Sequence, residues 1–232
     1  MIKQMKSWCR NAFSQTMQWT LRLLAYPAFR PKLTFASPEA KVNFPEGPCV
    51  FISNHVTMLD AGPIELLLHK KHFYGLTAAD IMRDYKFLGW FLSYVPAIPI
   101  DRHNVSLAWL RESRKKIREG HSIYLCPEGK CNEDRVITDF KPGFVTLAVT
   151  EKIPVVPLYH NAEFNYFIGK RFRLMVGEPL YLTVPEEGLT DDFMRAEAAR
   201  ATEAVRSLER QLMGYNLTHE MLAEKAFSKK TA

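Results

Sequence analysis

The chain has 232 residues, 47% of them hydrophobic, with four cysteines and a net charge of +6. This is enough apolar material for one substantial core, and no internal repeat, low-complexity tract or Gly/Ser/Pro-rich linker divides it. The charge is local: Lys3, Lys6, Arg10, Arg22, Arg30 and Lys32 share the first 32 residues with no acidic residue, and the remaining 25 Lys and Arg are balanced by 25 Asp and Glu, which argues against a nucleic-acid binder.

In chain order, the first expected element is a basic amphipathic helix from Ser7 to Tyr26. Its Trp8, Phe13, Trp19, Leu23 and Leu24 alternate with Lys6, Arg10 and Arg22. Such a helix can lie in a membrane interface, each cation adding about 1 kcal/mol against anionic headgroups; the other reading is that it packs on the protein's own core. Arg22 interrupts the apolar run, and no stretch has the roughly 20 apolar residues of a span or the clean block of a secretory signal. The expected organisation is therefore a membrane-associating segment, residues 1–34, and a catalytic-sized domain, residues 35–232.

The apolar run Cys49–Ser53, bounded by Pro45, Gly47 and Pro48, predicts a buried strand. Asp60 and Pro63 ahead of Ile64 and Leu66–Leu68 predict a capped helix start. Strands are expected over Phe73–Ala78, Ala97–Ile100, Ser122–Cys126, Val155–Tyr159 and Phe172–Gly177, and helices over Tyr85–Phe91, Val105–Glu119, Gly143–Glu151 and Asp191–Met213. The alternation predicts an α/β fold with a mixed, largely parallel sheet flanked by helices.

His55 then falls where a strand feeds a helix, the place where ligand crevices open in such sheets. A histidine oriented by a carboxylate, here Asp60, can act as a general base near neutral pH. The same two residues are also what an ordinary histidine beside a capped helix would provide. Cys9, Cys49, Cys126 and Cys131 show no extracellular disulfide pattern and read as reduced thiols of a cytosolic compartment. His121, Cys126 and Cys131 lack the spacing of a metal site. The basic run Arg111, Arg114, Lys115, Lys116 and Arg118 reads as a solvated helix face. There is no Gly-x-Ser-x-Gly elbow to favour a hydrolase, although Ser53 lies close to His55.

Four segments in order resemble the glycerolipid acyltransferase family typified by bacterial 1-acylglycerol-3-phosphate acyltransferase. Asn54-His55-Val56-Thr57-Met58-Leu59-Asp60 resembles its Asn-His-x-Ser-x-x-Asp block, with Thr57 where Ser is usual. Ile98-Pro99-Ile100-Asp101-Arg102 resembles the second block. Pro127-Glu128-Gly129-Lys130, followed by Phe140-Lys141-Pro142-Gly143, resembles the third, and Ile153-Pro154-Val155-Val156-Pro157 the last. The similarity runs roughly from Val42 to Val176.

The resemblance implies transfer of a fatty acyl group from acyl-CoA or acyl carrier protein to the free hydroxyl of lysophosphatidic acid, giving phosphatidic acid. His55 and Asp60 would be the catalytic dyad, and Asn54, Arg102, Glu128, Gly129 and Lys130 the acceptor-side residues. Asn54 would polarise a neighbouring group or fix the turn. Arg102 suits bidentate phosphate contact, with Lys130 a point charge beside it. Glu128 would accept from glycerol hydroxyls or orient the basic groups. No metal or cofactor is implied beyond the acyl donor.

Membrane association would be peripheral, through residues 1–30, at the cytoplasmic face. The third block departs from the family, with Lys130 and Cys131 where Thr and Arg are usual. Either Lys130 shifts into the phosphate role, Arg135 reaches in, or the acceptor is another lysophospholipid or a lyso-aminolipid. A non-catalytic membrane-binding module is the alternative of a different kind.

Overall fold

In the computed structural model, the described residues are 30–58, 60–79, 96–100, 107–163 and 171–214, together with Thr20, Leu23 and Tyr26. The expected helix over 85–91, Arg102, and nearly all of the amphipathic segment lie outside them.

Successive residues of Val50–Ser53 (β2) point alternately into two cores. Val50 and Ile52 join one apolar cluster, while Cys49 and Phe51 join the other, as a strand buried on both faces requires. The same holds for Phe73–Ala78 (β3), Ala97–Ile100 (β4), Ser122–Leu125 (β5), Val155–His160 (β6) and Arg173–Val176 (β7) to the extent that each is covered. With Lys32–Phe35 (β1), these form one sheet of seven described strands in the order β1-β7-β6-β2-β5-β3-β4. Every described pairing between these strands is parallel except β6 with β7, and an isolated antiparallel bridge joins Val155 to Leu180. The expected largely parallel α/β sheet is thus the observed one.

Ala108–Arg118 (α3), Gly143–Glu151 (α4) and Asp191–Met213 (α5) cover one face. Ile117, Phe144, Leu147, Ala198, Ala201, Val205 and Leu208 pack there on Val50, Ile52, Ile123 and Val155. Pro38–Val42 (α1) and Ala61–Leu68 (α2) precede and follow β2, and α2 packs Ile64 and Leu68 on Phe51, Phe73 and Val156 of the other face. Helix α5 starts at Thr190, whose side chain accepts from the Phe193 N–H, with Asp191 and Asp192 in the first turn. It ends at Gly214 with φ +71°, a left-handed cap that glycine takes without strain.

Besides the short 3-10 turn His69–Lys71, two elements were not anticipated. β1 pairs along β7 at the sheet edge, so the sheet reaches back to Lys32, across the division placed between residues 34 and 35. Helix α1 carries a legible start signal, Ser37 accepting from Ala40 N–H with Pro38 following it.

The site is set by what happens at the ends of β2 and its two neighbours. β2 lies between β6 and β5. From β2 the chain turns onto one face through α2, and from β5 it turns onto the other through α4. The loops therefore diverge and leave a crevice at the carboxyl end of β2, a topological switch point. Among the described residues no helix is long and apolar enough to cross a membrane.

Candidate active site

Asp60 is the buried centre of the crevice, with its side chain 1% exposed. Its Oδ2 accepts from His55 Nδ1–H at 3.1 Å, Val56 N–H at 2.7 Å and Thr57 N–H at 2.9 Å, and its Oδ1 accepts from the Thr57 hydroxyl at 2.9 Å. Burial alone would raise the carboxyl. The His55 bond, then His160 and the N–H groups of Thr57 and Val56, override it and hold Asp60 below the usual carboxylate range. The expectation that Asp60 caps the following helix is corrected here. It stands at the N-cap position of α2 in a helical conformation and makes no side-chain cap bond, because its oxygens are turned back onto the loop before it. The Thr57 hydroxyl does part of this holding, and a serine hydroxyl could make the same bond.

His55 is held in its backbone as well as its ring. Its N–H donates to Glu128 Oε1 at 2.8 Å and its carbonyl accepts from Asn132 N–H at 2.7 Å. The ring is a quarter exposed, with Nδ1 on Asp60 and Nε2 on the open side, 3.1 Å from the exposed Cys131 Sγ. Burial works to lower the imidazole, but the bond to Asp60, with the sulfurs of Cys126 and Cys131, raises it to about 11.

Glu128 is buried, and its oxygens are engaged by the protein. Besides His55, Thr138 N–H and Thr138 Oγ1–H each donate to Oε2 at 2.9 Å, and the Asn132 amide donates to the same oxygen. The geometry makes Glu128 a clamp for His55 and for its own loop. Gly129 has φ +74°, a backbone conformation that favours glycine; a Cβ there would lie 2.8 Å from Lys141 Nζ, the far end of a side chain that can move aside. Lys130 is exposed on the loop. Arg135 pairs with Glu163 at 3.2 Å.

Asn54 is buried and faces β6. Its amide donates to the His160 carbonyl and accepts from the His160 N–H, each at 3.0 Å. This reciprocal pair fixes the turn after β2. His160 is fully buried, stacks on Phe172, and its Nε2–H donates to the Asn54 carbonyl at 3.0 Å while standing 3.6 Å from Asp60 Oδ2. His121 lies at the opposite end of β5 from Cys126, on the His72 carbonyl.

Of the residues expected in the site, His55, Asp60, Asn54, Glu128, Gly129 and Lys130 therefore gather at the ends of β2 and β5, and Arg102 lies outside the described residues. The sequence reading missed His160, Asn132 and Thr138. They are polar residues beside or between the motif blocks, and no local pattern marks them.

A family model described as Acyltransferase matches residues 37–161. The chain is 28% identical over 113 residues to a chloroplastic 1-acyl-sn-glycerol-3-phosphate acyltransferase of Brassica napus, covering 48% of this chain and 32% of that protein. It is 27% identical over 168 residues to the 1-acyl-sn-glycerol-3-phosphate acyltransferase of Pseudomonas aeruginosa, covering 68% of this chain and 56% of that protein. The chain thus matches about a third and little more than half of the length of these curated relatives. The crystal structure of the 1-acyl-sn-glycerophosphate acyltransferase PlsC from Thermotoga maritima shares the fold, with a TM-score of 0.56 at 17% identity over 88% of this chain and 82% of that one.

Proposed function

Because the chain belongs to the acyltransferase family, we propose that it transfers a fatty acyl group from an acyl thioester to the free hydroxyl of lysophosphatidic acid, forming phosphatidic acid. The names of its relatives support that acceptor. The observation that carries the reading is one quarter-exposed imidazole with Nδ1 on a buried carboxylate and Nε2 on the side of the exposed Cys131.

A thioester is already activated, so the chemical task is to remove the acceptor's proton as its oxygen attacks. His55 Nε2 takes that proton, and the Asp60 charge stabilises the imidazolium while fixing the ring's tautomer. Base catalysis of this kind contributes about a hundred- to ten-thousandfold. Glu128 acts through His55 as a positioning residue, and Asn54 positions the turn. Arg102 and Lys130 are the cations for the acceptor phosphate.

Peripheral membrane association at the cytoplasmic face, through residues 1–30, fits a substrate and product that both live in the bilayer. The exposure of Leu23 and Tyr26 supports it. A second reading, another lysophospholipid or a lyso-aminolipid as acceptor, is favoured by Cys131 standing beside His55 where the family has an arginine.

The test is a panel of acyl-CoA and acyl carrier protein donors against lysolipids presented in anionic vesicles, with and without residues 1–30. Lysophosphatidic acid is expected to be the best acceptor and truncation to reduce vesicle binding. No turnover of lysophosphatidic acid beside good turnover of another lysolipid would replace the first reading with the second. Unchanged vesicle binding after truncation would refute the anchor.

A further inference from the structure

We propose that Arg206 and Thr202 of α5 are positioning residues for the proton transfer, acting on His55 through the loop that carries Glu128. The inference rests on the acyl-transfer reading above, because it concerns the base of that reaction.

The chain from Cys126 to Pro142 has no helix or strand of its own. A loop of that length has much conformational freedom to lose, so it keeps one shape only where groups outside it fix it. It grips His55 at two points. Asn132 N–H donates to the His55 carbonyl at 2.7 Å, and Glu128 Oε1 accepts from the His55 N–H at 2.8 Å. Glu128 is held in turn by Thr138, whose N–H and hydroxyl each donate to Oε2 at 2.9 Å.

What holds Thr138 in place lies on α5. Arg206 donates through Nη2 to the Ile137 carbonyl and to Asp139 Oδ1, each at 3.0 Å, and the Phe140 N–H donates to Thr202 Oγ1 at 3.2 Å. The residues on both sides of Thr138 are therefore fastened to the helix. Positions 202 and 206 are one turn apart on the same helix face. The Thr202 hydroxyl donates to the Ala198 carbonyl at 2.8 Å, which leaves its oxygen to accept from Phe140. The helix itself is seated on the sheet through Ala198, Ala201, Val205 and Leu208, in the apolar cluster that also takes Ile137 and Phe140.

The two bonds of Arg206 are unequal. Asp139 is 91% exposed, so its ion pair is screened by solvent and contributes little. The Ile137 bond joins a guanidinium to the backbone of a buried residue, a charge-assisted bond of the stronger kind. Arg206 thus connects a rigid helix to the segment that orients Glu128. A base displaced by about 1 Å loses up to about a hundredfold in rate. Because His55 acts in the transition state, the loss falls on kcat and leaves substrate binding in place.

The test compares full-length Arg206→Ala, Arg206→Lys, Asp139→Asn and Thr202→Val in transfer from palmitoyl-CoA to lysophosphatidic acid, and follows amide hydrogen exchange by NMR. Arg206→Ala should lose about ten- to a hundredfold in kcat, with KM for both substrates changed by less than about twofold. Arg206→Lys restores a charged donor and should recover most of that loss, while Asp139→Asn should keep the wild-type rate. Thr202→Val should lose kcat in the same way and by less. The His55 and Thr138 amides should exchange about tenfold faster in Arg206→Ala. Placed on Glu128→Ala, the Arg206→Ala change should cost nothing further, because both act along one path.

A folded Arg206→Ala protein with wild-type kcat overturns the inference and leaves the acyltransferase reading standing, as does a fully multiplicative loss in the double variant. Should Arg206→Ala fail to fold, Thr202→Val decides: a lower kcat at unchanged KM upholds the inference and a wild-type kcat overturns it. A wild-type protein that acylates no lysolipid removes the acyltransferase reading, and exchange then decides the linkage alone. Faster exchange at the His55 amide in Arg206→Ala upholds it, and unchanged exchange overturns it.

Discussion

Two histidines, at the ends of neighbouring strands β2 and β6, address the same oxygen of Asp60 and come out oppositely. His55 stands 3.1 Å away on a quarter-exposed ring and is raised to about 11. His160 stands 3.6 Å away, fully buried, and burial lowers it despite the opposing pull of Asp60. Half an ångström and a partly exposed ring separate an imidazole whose affinity for a proton is raised from one whose affinity is lowered. A carboxylate raises a histidine where the hydrogen bond is made and burial is incomplete; where the ring is fully buried and the bond is not made, desolvation prevails. His55 faces the crevice and its thiol, whereas His160 donates to a backbone carbonyl and stacks on Phe172.

The strongest way to break this contrast is Asp60→Asn, which keeps the shape and removes the charge. With an amide against Nδ1 the tautomer reverses, and transfer is expected to fall by about ten-thousandfold. The His55 ring, with burial no longer overridden, should titrate lower in an NMR pH series. Stability should respond as well. The raised imidazole stabilises the fold fully below its ordinary 6.5, and that contribution is lost as pH rises towards about 11. The lowered Asp60 contributes above its ordinary 3.8 and loses that contribution as pH falls through its folded value. Denaturant unfolding should therefore show a decline above pH 6.5 in the wild type that Asp60→Asn flattens. An unchanged ring titration would contradict the account.

A smaller effect is expected from Glu128→Ala, which leaves the His55 N–H and the Thr138 and Asn132 donors without their acceptor. The cost should be about 3 kcal/mol in urea unfolding, with transfer reduced because His55 is no longer held. Full stability would show that the clamp is not needed.

The smallest is His160→Leu, which removes one buried donor and costs about 1–2 kcal/mol. Transfer should change by less than about tenfold, since His160 takes no part in proton movement. A loss as large as that of Asp60→Asn would place His160 in the proton chemistry and erase the contrast.

The strands buried on both faces were legible because Cys49–Ser53, Ser122–Cys126 and Val155–Tyr159 are apolar runs closed by turn residues. The edge strand β1 was not: it opens with Lys32 and is only partly covered, so it carries no such run. Asp60 was legible as a partner of His55 and misread as a cap, because a carboxylate ahead of a helix has the same sequence appearance whether it bonds forward or back. The bonds that finish the site join Asn54 to His160 across 106 positions and His55 to Glu128 across 73. Nothing in local spacing encodes them; the order of β6, β2 and β5 in the sheet does.

The central claim is that His55 moves the proton in acyl transfer. The most direct measurement is transfer of labelled acyl group from acyl-CoA to lysophosphatidic acid by His55→Ala, with folding checked by circular dichroism. A folded variant slower by about a hundred- to ten-thousandfold is the predicted result. Wild-type rates in that folded variant would contradict the claim.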